Sequence, residues 1–274
     1  MAIFKTSNPA LGEKTFTGTA AEYANQPNAR IGERFGGGFG AVAGRMTLNG
    51  TINRTGILLV CVIASAAWTW NLFIQAVQSD NAGAFAAGGP WMLVGLIGGF
   101  ICAMVTIFKK EWSPVTAPLY ALLEGLALGG ISAAFELRYP GIAIQAVGLT
   151  FATLFAMLFI YRTGIIRVTE KFRIGIFAAT GGIAVFYLLE MVLSFFGVHF
   201  AAINGSGAIG IGFSLIIVGI AALNLVLDFD FIEKGVQYGA PKYMEWYGAF
   251  GIMVTLIWLY LEILRLLAKM NRRN

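Results

Sequence analysis

Residues 208–230 read AIGIGFSLIIVGIAALNLVLDFD, an apolar run with no charged residue before Asp228. A helix rises about 1.5 Å per residue, so a run of this length crosses the roughly 30 Å hydrocarbon core of a bilayer. Working outward, six more stretches are long and apolar enough to do the same: 55–77, 90–108, 115–136, 141–161, 174–197 and 247–268. The fold expected is therefore all-α, a polytopic membrane protein built as a seven-transmembrane-helix bundle.

Composition agrees with that reading. The 274 residues are 58% hydrophobic and 12% charged, with a mean hydropathy of +0.75. Soluble domains carry about twice that charge fraction. Seven spans use most of the chain and leave no room for a soluble catalytic domain. The first fifty residues differ, being polar and rich in glycine, as in Gly36 to Gly40. Such a composition cannot build a core. The expected division is a mobile cytoplasmic N-terminal tail over 1–45 and a seven-helix transmembrane domain over 46–274. No cleavable signal is visible ahead of the first span.

Basic residues in short loops favour the cytoplasmic side. Arg30, Arg34, Arg45 and Arg54 precede or open the first span, Lys109 and Lys110 follow the second, and Arg162, Arg167, Lys171 and Arg173 follow the fourth. Lys234 and Lys242 follow the sixth, whereas the opposite loops hold Arg138 and little else. This places the N-terminus in the cytoplasm. Lys269, Arg272 and Arg273 then fall outside, against the rule. Either the last span crosses under the direction of the earlier ones, or it is re-entrant; the crossing is the expectation.

Glycine spacing marks close helix approaches. Gly95 with Gly99 and Gly125 with Gly129 form small-xxx-small pairs, and Gly205, Gly207, Gly210 and Gly212 crowd the start of the sixth span. Trp112, Trp246 and Tyr247 stand at span ends, as interfacial aromatics do. Cys61 and Cys102 lie in apolar spans and read as small hydrophobes.

Four acids sit inside spans, Glu124, Glu190, Asp228 and Glu262, with Asp230 at a span edge. A carboxylate within hydrocarbon costs at least about 2.5 kcal/mol and marks a functional site by default. No Lys or Arg sits deep in the same spans, so these acids are expected to bind protons, bind a cation or share a proton among themselves. Two carboxylates held close cannot both ionise freely and titrate as a coupled pair. Each acid also has a plainer reading, as a protonated group bonded to a neighbouring helix.

Other chemistries fail simple tests. A retinal protein needs a Schiff-base lysine within its last span, and Lys269 is at the extreme end. An intramembrane serine protease needs a Ser–His pair, and His199 is the single histidine. No phosphate-cradling glycine loop with a following lysine occurs, and no internal repeat suggests an inverted-repeat transporter. The chain is expected not to be an enzyme, to bind no cofactor and no nucleic acid, and to have the lipid bilayer as its main partner.

Three motifs, in order, resemble the transmembrane Bax-inhibitor-motif family. Leu227-Asp-Phe-Asp-Phe-Ile232 resembles its sixth-span acidic motif, and Leu259-Tyr-Leu-Glu-Ile-Leu-Arg-Leu-Leu267 resembles its seventh-span Leu-Tyr-Leu-Asp run. Pro118-Leu-Tyr-Ala-Leu-Leu-Glu-Gly125 through Gly129 resembles its third-span segment. Ser7-Asn-Pro-Ala10, Phe16-Thr-Gly18 and Met46 to Thr51 look like a bacterial YccA-like branch. The resemblance covers residues 46–268. It implies a seven-helix bundle of Bax-inhibitor type that leaks cations, notably Ca²⁺, under pH control. It also implies that the acids of the last two helices, Asp228 and Glu262, form the proton sensor. This chain has Glu where the family usually has Asp.

Glu124, Glu190 and Asp230 are the candidates for an ion pathway. If the last connection turns near Gly239–Pro241, however, Glu262 lies farther from the turn than Asp228, and a plain antiparallel hairpin sets them at different depths. Two rival functions stay open. One is a non-conducting regulator that binds another membrane protein, such as a membrane protease, through its tail. The other is a proton-coupled small-molecule transporter.

Overall fold

The computed structural model describes residues 44–78, 84–197 and 205–272, together with Phe200 and Ile203. Most of the 1–45 tail, including Arg30 and Arg34, lies outside the described residues, as do His199 and Arg273. Among the described residues seven helices follow one another: α1 Leu48–Gln78, α2 Ala84–Phe108, α3 Ser113–Arg138, α4 Ile142–Arg162, α5 Glu170–Phe195, α6 Ala208–Gln237 and α7 Met244–Asn271. Each contains a stretch long and apolar enough to cross a membrane. A single 3₁₀ turn, Lys110–Trp112, joins α2 to α3. The chain is a seven-helix membrane protein, as its apolar runs require.

The helices extend past the runs that betray them. α6 continues to Gln237 and α7 runs from Met244 to Asn271, because polar residues such as Glu233, Lys234 and Glu245 keep helical geometry beyond the apolar core. α7 is one unbroken helix of 28 residues. It spans about 40 Å at the usual rise, which fits a crossing and not a re-entrant loop.

α7 forms the axis of the bundle and touches α1, α3, α4 and α6. Met253, Leu256, Leu259, Tyr260, Ile263 and Leu264 are buried there. Side chains such as Ile97, Ile144, Phe155 and Val185 face outward, as lipid-facing residues do. The glycine pairs mark real approaches. A Cβ on Gly125 would lie 2.4 Å from the Val62 carbonyl oxygen of α1, and one on Gly129 would lie 2.2 Å from that of Ala66. On α2, a Cβ at Gly95 would meet the Leu123 carbonyl at 2.5 Å. Tyr247 departs from its expected interfacial role: it is buried, within ring-contact distance of Phe231 and Phe250.

The α6–α7 turn is short. Gly239 takes a left-handed conformation (φ 67°), which a residue without Cβ adopts at little cost. Residues 45–47 are laced to this turn: Arg45 pairs with Pro241 as an isolated bridge, and the Met46 N–H donates to the Ala240 carbonyl at 2.7 Å. Arg45 is thus held by the bundle. Thr47 then donates through its N–H and its hydroxyl to Glu245, at 3.0 and 2.7 Å.

Candidate functional site: a polar line between α5, α6 and α7

α6 and α7 run antiparallel in one register, fixed by two contacts. The Thr255 hydroxyl donates to Asp228 Oδ2 at 2.6 Å, and Lys269 Nζ donates to Ser214 Oγ at 2.8 Å. In that register Glu262 falls opposite Ala221. Asp228 and Glu262 are therefore about 10 Å apart along the helix axes. The direct pair expected between them is not formed: Asp228 bonds to Thr255, and Glu262 bonds to Tyr187 and Arg265. The tight turn at Gly239 starts α7 too early for the two acids to meet.

The second expectation to fall is the missing base. Arg265, one turn after Glu262, folds back and donates from Nη1 to both carboxylate oxygens, at 3.1 and 3.2 Å. Positions three apart lie on one helix face, and the arginine stem is long enough to reach. Tyr187 of α5 completes the cluster. Its hydroxyl donates to Glu262 Oε1 at 2.8 Å and accepts from Arg265 Nη1 at 2.5 Å. Glu262 is only 2% exposed, so this pairing replaces the water it has lost.

Asp230 is neutralised as well. Arg173 of α5 and Lys234 of α6 both donate to its Oδ2 at 2.7 Å. Asp228 differs from both. Its hydrogen bond comes from a neutral hydroxyl, and among the described residues it forms no ion pair. That hydroxyl has one hydrogen and two acceptors, since Thr255 Oγ1 also lies 3.2 Å from the Gly251 carbonyl of its own helix. A charged Asp228 receives the Thr255 proton. A protonated Asp228 can instead donate to Thr255 Oγ1 while the hydroxyl turns to Gly251. Both protonation states are thus satisfied without moving the backbone.

Between the two acids lies Asn224, one turn from Asp228 on α6, whose amide donates to Thr180 Oγ1 of α5 at 2.8 Å. The polar groups form a line through the bundle: Arg173, Asp230 and Lys234, then Asp228 with Thr255, then Asn224 with Thr180, then Glu262 with Tyr187 and Arg265. Lys269 and Ser214 stand at its far end. Glu190 lies on α5, one turn beyond Tyr187, within electrostatic range of Tyr187 and Lys269. Glu124 is elsewhere, half-buried on α3 against Gly99 of α2, where a Cβ would come within 2.9 Å of its carboxylate. Among the described residues no three His, Cys, Asp or Glu side chains gather into a metal-binding group.

Three-motif order, seven spans and an acid on each of the last two helices all point one way, and a family model described as Bax inhibitor 1 like matches residues 8–272. The chain belongs to the Bax inhibitor 1 like family. Comparison with curated proteins and with solved structures gives no match. Sequence reading of this Bax inhibitor 1 like protein missed Thr255, Asn224, Tyr187 and Lys269. A signal for two of them was present: Thr255, Glu262 and Lys269 follow one another at intervals of seven residues, which sets them on one face of α7.

Proposed function

We propose that this protein is a pH-sensitive cation leak of a bacterial inner membrane, that Ca²⁺ is the ion passed, and that it performs no enzymatic reaction. The observation carrying this reading is the polar line along α5, α6 and α7, with an unneutralised Asp228 in its course. Polar groups across a bilayer are costly and face pathways. A carboxylate oxygen suits a hard cation such as Ca²⁺.

In this reading the two acids act in series rather than as one hydrogen-bonded pair. Asp228 is the proton-responsive step, because no base among the described residues fixes its charge and Thr255 accommodates either state. Glu262 is held by Arg265 and Tyr187 and forms the next step. A charged Asp228 draws a cation into the line, whereas a protonated one removes that attraction, so the leak closes as pH falls. The basic loops at Arg45, Lys109, Arg162 and Lys242 support a cytoplasmic N-terminus. The N-terminal motifs support a YccA-like branch.

The test is Ca²⁺ flux in proteoliposomes across a pH series of roughly 6 to 8. Wild-type flux should rise with pH, and Asp228→Asn should give low, flat flux. A mutant profile that superimposes on the wild type overturns the assignment.

A further inference from the structure

Lys269 is 6% exposed, in the last turn of α7. Its ammonium donates to the Ile203 carbonyl at 2.8 Å, the Gly210 carbonyl at 3.2 Å and Ser214 Oγ at 2.8 Å. All three acceptors are uncharged, and among the described residues no carboxylate bonds to it. Burying an ammonium with only neutral oxygens bonded to it is expensive, and an apolar side chain of similar length would fill the space more cheaply. Arg265, one turn back on the same face, acts on Lys269 as a like charge, and the more distant Glu262 and Glu190 oppose it without bonding to the ammonium.

The acceptors are built into the fold. Gly210 has no room for a Cβ, which would lie 2.1 Å from the Gly205 carbonyl and 2.9 Å from that of Ile203. This glycine lets carbonyls ahead of α6 crowd onto its first turn. Carbonyl and hydroxyl oxygens converging on one small cation are the means by which a protein replaces a hydration shell.

We propose that the Ile203 carbonyl, the Gly210 carbonyl and the Ser214 hydroxyl form a seat for a monovalent, ammonium-sized cation, and that the protein's own Lys269 occupies it as a tethered plug at the far end of the polar line. Neutral oxygens suit a monovalent ion; Ca²⁺ takes six to eight oxygens, with carboxylates among them. While the ammonium is seated, an ion arriving along α6 and α7 meets both a filled site and a like charge. The plugging role rests on the leak reading above. The seat itself does not.

The test uses full-length Lys269→Ala in proteoliposomes and in detergent. Removing the charge should raise cation flux at least about tenfold. Ethylammonium or propylammonium should return it toward the wild-type level, and propanol should not. In detergent, the thermal unfolding of the variant should move upward with potassium or ammonium and not with choline.

Flux equal to the wild type overturns the plug. Loss of thermal stability that no small cation restores means Lys269 is only a fastener for the segment before α6, and overturns the seat. If Lys269→Ala does not fold, Lys269→Gln keeps length and a donor without charge. Its flux should also rise, and unchanged flux overturns the plug. If the wild type passes no cation at any pH, the leak reading falls, and the seat is decided by the cation-specific stabilisation alone.

Discussion

Glu262 illustrates how a buried acid is tolerated at the scale of one residue. It has given up water almost completely and receives Arg265 and the Tyr187 hydroxyl in exchange. Breaking such a pair from one side is far worse than removing both partners. Arg265→Met should lower unfolding stability by about 1–2 kcal/mol, between an exposed and a buried pair, because the arginine end is partly exposed and Tyr187 still donates. Adding Glu262→Gln should recover most of that loss, because the carboxylate left alone no longer exists. Thermal unfolding of the two variants in detergent checks this, and equal melting of single and double variants would refute it. The acids themselves were plain in the sequence, since a charge within hydrocarbon stands out against its neighbours. Their partners were not. Arg173 and Tyr187 come from α5, far away in the chain, and no local pattern announces which helix face will meet α6 or α7.

At the scale of elements, the apolar runs located all seven helices, because crossing a bilayer demands length and hydrophobicity that few other structures share. Their ends were harder to read, since helices persist into the interface on ordinary polar residues. The turn at Gly239 decided more than any boundary, because it sets the register of α6 and α7 and thereby separates Asp228 from Glu262. Glycine spacing marked the face of α3 where the structure places α1, though not which helix would meet it, and the contact is testable. Gly129→Ala should cost about 1–3 kcal/mol, as overpacking does, because its Cβ must displace the Ala66 backbone. Gly56 is a useful contrast, since its Cβ would meet nothing within 4 Å. Gly56→Ala should be neutral or stabilising by about 0.5–1 kcal/mol. The same destabilisation at both positions would show that helix propensity, and not close approach, governs the pair.

For the molecule as a whole, the helices are joined by two kinds of contact. α1, α2 and α3 meet backbone to backbone at glycines, a fit that resists sliding. α5 is different: Ile176 and Ile183 are its buried hydrophobics, while Ile174, Val185, Leu188 and Val192 face outward. It is joined to the rest largely through polar side chains, Arg173 to Asp230, Thr180 to Asn224 and Tyr187 to Glu262, with a ring contact of Phe186 on Phe213 beside them. Polar contacts of this sort exchange partners more readily than interlocked backbones do, so α5 is the wall of the line best able to move. Joining it to α6 at mid-membrane should hold the line shut. The pair Thr180→Cys and Asn224→Cys, in a background with Cys61→Ala and Cys102→Ala, puts facing thiols at two positions whose side chains now hydrogen-bond across α5 and α6. Oxidation should take cation flux to the level of empty liposomes, and reduction should restore it. Oxidised protein that conducts as the reduced form does would mean that ions pass without α5 moving from α6, and the path would then have to be sought along another face of α7.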